Sequence, residues 1–119
     1  MSHIMPTRDQ FRQLMELNHN GPVVMVNLLR FKPDGGAESY AKYGKMAGDY
    51  VKKLGGRVLC GGKQLMALIG DEEWDEILLV EYPSIDSFRR MQKDKEYHAM
   101  VPYRTEGLID SRLYIIEPG

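Results

Sequence analysis

The sequence predicts an α+β domain: a four-stranded antiparallel sheet in a split βαβ order, with its two main helices on one face. Three observations predict it. Residues 22–31, PVVMVNLLRF, form the longest near-unbroken apolar run, short and rich in β-branched Val, which reads as a strand rather than a helix. The elements around it follow the order helix, strand, helix, strand, strand, helix, strand. The central run is also apolar at odd positions (Val23, Met25, Leu29, Phe31) and at even ones (Val24, Val26, Leu28), so both its faces need cover. Helices on one face leave the other open, and a second copy of the chain is the economical cover.

The first expected helix follows Pro6, where Thr7-Arg8-Asp9-Gln10 has the form of a capping box. Phe11, Leu14 and Met15 give it an apolar side, and Asn18-His19-Asn20-Gly21 ends it with turn residues. His19 in that turn reads as solvated surface. In the strand that comes next, Asn27 and Arg30 are the polar interruptions. They are three positions apart, so a period of two sends them to opposite faces, Asn27 with Met25 and Leu29. The face with Asn27 is expected to look toward the helices.

Lys32-Pro33-Asp34-Gly35-Gly36 reads as a loop, and residues 37–54 as the longest helix. Tyr40, Tyr43, Ala47, Tyr50, Val51 and Leu54 fall at three- and four-residue spacings and make one apolar stripe, closed by Gly55-Gly56. A second strand is expected from Arg57, broken by a bulge or bend at Gly61-Gly62 and resuming over residues 65–69. Residues 75–82, DEILLVEY, make a third strand stopped by Pro83. Ser84 caps the next helix, with Ile85, Phe88 and Met91 inward. A short helical turn at residues 97–101 before Pro102, a connection through Gly107 and a last strand over residues 108–117 complete the chain. We divide it into an N-terminal extension and helix, residues 1–21, and one sheet domain, residues 22–119.

The 119 residues suit one compact domain, and 16 basic against 17 acidic residues leave a net charge of −1 with no basic stripe. Nucleic acid and an anionic membrane are therefore not the expected partners. Cys60 is the single cysteine, so no intrachain disulfide is expected and a reducing cytoplasm fits. No apolar run is long enough to span a bilayer, and no charged-then-apolar leader opens the chain. Met1-Ser2-His3 reads as a vector-derived lead, with Met5 as the native start.

The series VNLLRFK, YAKYGK, GGRVLCGG, WDEILLVEYPSIDSFRRM and EYHAMVPYRTEGLIDSRLYIIEP, in that order, resembles the domain of unknown function 1330 family. The likeness runs from Pro22 to Pro118 and leaves the first helix outside. It implies membership of the dimeric α/β-barrel, ferredoxin-like superfamily, and hence a homodimer. That superfamily includes cofactor-free monooxygenases, muconolactone-type isomerases, lyases, haem enzymes and ligand-sensing domains, so the resemblance fixes no reaction.

Strong catalytic motifs are missing: there is no P-loop, no dinucleotide fingerprint, no H-E-x-x-H and no C-x-x-C. Three histidines, of which His3 belongs to the lead and His19 to a turn, make no zinc site. No metal or bound cofactor is expected. The remaining candidates are single residues. Tyr40 and Tyr43 read first as core, with the second possibility that a hydroxyl near the helix start points into a cavity and moves protons. His98 reads as a surface histidine or, alternatively, as an acid–base group. Asn27 in a covered strand must satisfy its amide through neighbours or a ligand. Glu81 either pairs with Arg30 or Arg104 or serves a substrate. Trp74 reads as edge packing. Arg104 could hold an anionic group bidentately. Together these point to a small-molecule enzyme using acid–base or direct oxygen chemistry on a hydrophobic carbonyl or carboxylate compound. A non-catalytic metabolite-binding module and a structural dimer without a pocket are the alternatives.

Overall fold

The computed structural model describes residues 2–119. In chain order the elements are α1 (Arg8–Glu16), β1 (Val23–Phe31), α2 (Gly36–Lys53), β2 (Arg57–Gly62), β3 (Glu76–Tyr82), α3 (Ile85–Lys93), α4 (Lys95–Gly107) and β4 (Leu108–Ile116). The strands form one sheet in the order β2-β3-β1-β4, every neighbouring pair antiparallel. This is the split βαβ arrangement the element order predicts, with β1 beside β3 at the centre.

Alternation along β1 separates the two faces. Val23, Met25 and Leu29 join Val80 and Tyr82 of β3 in the core, against Tyr40, Tyr43, Tyr50 and Val51 of α2, Phe88 of α3 and Tyr97 of α4. Leu29 and Leu108 are completely buried. The other face carries Val26 and Leu28, paired in register with Leu79 and Ile77, and next to them Tyr114 and Arg112. No helix covers it, and Tyr114 and Ile116 stand open on it at 53 % and 43 % exposure.

The helix starts are set locally. Thr7 Oγ1 accepts from the Gln10 N–H while the Gln10 side chain accepts from the Thr7 N–H, the capping box read from the sequence. Ser84 caps α3 and Asp94 caps α4. α2 has no side-chain cap, and Gly35 enters it in the left-handed region at φ 82°. The start of α2 and the end of α4 meet backbone to backbone. A Cβ on Gly36 would lie 2.6 Å from the Gly107 carbonyl oxygen, and one on Gly107 would lie 2.7 Å from that of Gly36. Glycine at both positions is what lets the two helix ends touch.

Three local expectations need correction. Residues 65–69 form no strand: β2 runs through Gly61 and ends at Gly62, and β3 begins at Glu76. Their apolar side chains find no neighbouring strand to pair with, and Leu65 and Ile69 are 93 % and 95 % exposed. The bulge in β2 lies between Val58 and Cys60 rather than at the glycines. Gly61 instead gives way to a neighbour, since a Cβ there would come within 2.9 Å of Leu78 Cδ1. Finally, the short turn expected before Pro102 is a continuous helix to Gly107 with the proline inside it. Pro102 removes one backbone donor, and packing of α4 along α2 outweighs that loss.

The N-terminal extension lies against the domain. Ile4 and Leu14 pack on the core. Arg89 of α3 donates to the backbone carbonyls of Leu14 and Leu17. The His3 N–H donates to Asp110 Oδ1 at 2.8 Å, and Ser111 Oγ donates back to the His3 carbonyl. Among the described residues no helix is long and apolar enough to cross a membrane.

Candidate functional site

Asn27 is on the helix-facing side, as the alternation requires, directly opposite Leu78. Its Nδ2 donates to the carbonyls of Leu78 at 3.2 Å and Met25 at 3.3 Å. The amide nitrogen is therefore held by backbone, and Oδ1 is the end left for another partner. Glu76 faces the same side two places along β3, opposite Leu29. Desolvation raises the Glu76 carboxyl above its ordinary range.

Tyr40 sits over this end of the sheet from the first turns of α2, its ring 5.4 Å from Phe31 and 5.3 Å from Tyr43. Burial pushes its hydroxyl well above the usual phenol range; Arg104 works against that shift, and Glu76 and Tyr97 add to it. So Tyr40, Glu76 and Arg104 share one electrostatic neighbourhood, at the end where β1 finishes, α2 begins and α4 closes. Tyr43 lies deeper. Its hydroxyl meets that of Tyr97 at 2.8 Å, and burial, foremost, with the Tyr97 contact raises its pKa strongly. Each hydroxyl satisfies the other. Arg104 reaches this region but donates through Nη1 to the Ile4 carbonyl at 2.7 Å.

The other two sequence candidates lie elsewhere. Glu81 projects from the uncovered face, opposite Val24 on one side and Arg57 on the other, and Arg57 Nε lies 3.1 Å from its Oε1. The expected partners Arg30 and Arg104 are wrong because antiparallel pairing puts Arg30 at the far end of β1 from Glu81. His98 is exposed on α4, its ring nitrogen bonded to the Gln92 carbonyl.

Arg30 belongs to a second cluster that sequence reasoning missed. It crosses the uncovered face beside Asp110 of β4, and Arg112 flanks the same carboxylate. Asp110 accepts from Arg112 Nη1 at 2.8 Å and lies 3.5 Å from Arg30 Nη1. Burial pushes the Asp110 carboxyl up, but the hydrogen bonds from His3, Arg112 and Ser111 outweigh this and hold it below the usual range. Both guanidiniums stack on Trp74, 4.7 Å and 5.1 Å from the ring centroid. Trp74 is buried rather than at an edge, and both arginine contacts were unforeseen. The signal lies in the residue order of two strands: Asp110 and Arg112 alternate on one face of an otherwise apolar run, and Glu76 opens the apolar run of β3 on the core side.

Two clefts open on the surface. One, about 310 Å³, lies between α2 and α4 at Met46, Tyr50 and Met100. The other, about 390 Å³, lies below Trp74 between Arg30, Lys63, Gln64 and Met66. Neither is lined by Asn27, Tyr40 or Arg104. Among the described residues no group of three His, Cys, Asp or Glu side chains is placed to hold a metal ion.

A family model described as a domain of unknown function (DUF1330) matches residues 35–118. The chain belongs to that family. The matched DUF1330 segment starts at the loop before α2, so β1 and α1 precede it. Among solved structures, the RPA0582 protein of unknown function from Rhodopseudomonas palustris is 38 % identical. That similarity covers 100 % of this chain and 98 % of the other, with a TM-score of 0.92. A structure described as a dimeric ferredoxin-like protein of unknown function from Jannaschia sp. CCS1 is 9 % identical, covering 82 % of this chain and 100 % of that one, with a TM-score of 0.65. Another so described, from Thermobifida fusca YX, is 16 % identical over 86 % and 95 % of the two chains, with a TM-score of 0.58. At that identity they establish the ferredoxin-like fold of this DUF1330 chain and nothing further. No curated protein matches the chain.

Proposed function

We propose that the protein works as a homodimer, its uncovered sheet face closed by a second copy. Each subunit would bind a small hydrophobic carbonyl or carboxylate compound between the sheet and α2 and carry out cofactor-free acid–base chemistry on it. One observation carries this reading: Tyr40 and Glu76, both with raised pKa values, share a neighbourhood with the Arg104 guanidinium on the face that also presents Asn27 Oδ1. A desolvated carboxyl and a buried phenol can exchange a proton with a substrate, and a guanidinium can hold its anionic end. The apolar uncovered face and the dimeric fold neighbours support the homodimer. Glu81 and His98 drop out of the proposed machinery, since one pairs with Arg57 across the sheet and the other is bonded to the Gln92 carbonyl of α3.

Binding without turnover is the second reading. It is favoured by the mutual satisfaction of Tyr43 and Tyr97, which leaves that hydroxyl pair structural.

Native mass spectrometry of freshly purified protein, with and without Tyr40→Phe and Glu76→Gln, tests the reading. A co-purified small molecule that weakens or disappears in the variants is the expected outcome. Loss of the dimer with no ligand in either form overturns it, and a ligand that persists unchanged in both variants moves the site away from Tyr40.

A further inference from the structure

Asn27 presents a fixed hydrogen-bond acceptor on the helix-facing side of the sheet. Its Nδ2 donates to the Leu78 carbonyl at 3.2 Å and to the Met25 carbonyl at 3.3 Å. Turning the amide over would set Oδ1 against both carbonyl oxygens, so the two donations lock its orientation. Oδ1 accepts from no group among the described residues. Every fully buried side-chain polar atom among those residues has a partner, so an unpartnered oxygen here must reach the surface. The Glu76 carboxyl is in the same condition. It lies on the same face, two residues along β3 from Leu78, half-buried and without a hydrogen bond or ion pair among the described residues. Cover on this side stops short of β4. The register puts Leu113 opposite Asn27 and Ile115 opposite Met25, on one face. Met25 is 1 % exposed, whereas Leu113 and Ile115 are 41 % and 36 % exposed. An open apolar strip therefore runs beside the fixed acceptor.

We infer that the ligand is a hydrophobic compound bearing a hydroxyl (an enol, a phenol or an alcohol) that donates to Asn27 Oδ1 while its apolar body lies on Leu113 and Ile115. The inference deepens the small-molecule reading above, by naming the substrate class of that site, and rests on it. A bare carbonyl or carboxylate oxygen cannot meet Asn27, because acceptor would face acceptor. An oxyanion is turned away for the same reason, so Asn27 is a positioning and selecting residue rather than an oxyanion donor. Carbonyl and carboxylate oxygens belong instead with the donors at the neighbouring end, the Tyr40 hydroxyl and the Arg104 guanidinium, which share one electrostatic neighbourhood with Glu76. A hydroxyl supplies the missing donor at less cost than an ammonium, whose charge the desolvated face and Arg104 oppose. Bonding to the neutral hydroxyl also disfavours its ionisation, so Asn27 holds that group protonated. A ligand without the hydroxyl leaves Oδ1 to lose water with nothing in exchange, and this is the basis of selection.

The test is a nuclear magnetic resonance titration of the isotope-labelled full chain with matched probes. These are para-hydroxyphenylpropanoate, para-hydroxycyclohexanecarboxylate and omega-hydroxyhexanoate, each beside its methyl ether. The best-bound hydroxyl compound should bind about tenfold more tightly than its ether, the scale of one hydrogen bond. It should shift the Asn27 side-chain amide and the backbone amides of Leu113 and Ile115. Asn27→Ala should abolish the preference for hydroxyl over ether, and Leu113→Ser should weaken both members of the pair alike. The hydroxyl–ether comparison on the parent needs no variant, so it decides the question where Asn27→Ala does not fold. Ethers that bind as tightly as their hydroxyl partners, a preference that survives Asn27→Ala, or shifts confined to Tyr40 and Glu76 overturn the hydroxyl and leave the proposed site standing. Probes that shift no residue on the helix-facing side overturn both.

Discussion

Asp110 and Glu76 are two carboxylates moved in opposite directions, and each predicts the sign of a pH effect. Asp110 is depressed by hydrogen bonds and by Arg112, so the stability it contributes is present above its unfolded pKa, near 3.9, and is lost as pH falls through the depressed folded value. Asp110→Asn should flatten the acid limb of a stability–pH curve and cost about 1–3 kcal/mol at neutral pH, since Arg30, Arg112 and the His3 N–H lose a charged acceptor. Glu76 is raised by desolvation, so it lowers stability as pH rises from its unfolded value through its folded one. Glu76→Gln should therefore be neutral or stabilising at pH 7. Urea denaturation at a series of pH values separates the two; a Glu76→Gln variant markedly less stable at pH 7 would place that carboxylate in an ion pair instead.

Asn27 belongs to this scale as well. Its sheet face follows from counting by two, and the structure agrees. Its bonding does not follow, because the Leu78 carbonyl comes from a strand whose register no single sequence reveals. The same holds for Glu81, whose partner Arg57 becomes visible only with β2 laid beside β3. Alternation is local and legible; pairing across the sheet is not.

At the scale of elements, a capping box, stop residues and apolar spacing locate six of the eight elements well, and the misplaced features are those where neighbours override local chemistry. Pro102 should end α4 and does not, because α4 is held along α2. Residues 65–69 should be a strand by composition and are not: they follow the end of β2 at Gly62 and pair with no strand of the sheet. Glycines show the same division. Gly44 and Gly48 lie inside α2, and a Cβ at either would meet nothing within 4 Å, whereas one on Gly107 meets the Gly36 carbonyl and the Tyr40 backbone. Gly44→Ala should raise stability by about 0.5–1 kcal/mol through lower unfolded-state entropy and better helix propensity. Gly107→Ala should lower it by about 1–3 kcal/mol, because backbone cannot move aside as a side-chain tip can. Thermal melts of the two variants check the pair; a harmless Gly107→Ala would mean that the α2–α4 junction yields easily.

For the whole molecule, the feature that matters is a sheet apolar on both faces with helices on one. The parity of β1 makes this legible in the sequence alone, since Val24, Val26 and Leu28 alternate with Met25 and Leu29. It also yields a paired test, because adjacent residues report on different covers. Met25 is 1 % exposed within one chain, under the helices. Met25→Asp would bury an unpaired charge in the subunit's own core, at a cost of several kcal/mol, and should abolish folding. Val26 points the other way, half-buried between Leu79 and Tyr114. Val26→Asp should leave the subunit folded with native circular dichroism and convert the dimer to monomer, because the charge meets only the partner's sheet. Sedimentation and circular dichroism on the two variants decide the matter. If Val26→Asp unfolds the chain as Met25→Asp does, both faces are core within one subunit. If it leaves a dimer of parental affinity, the copies do not meet through this face.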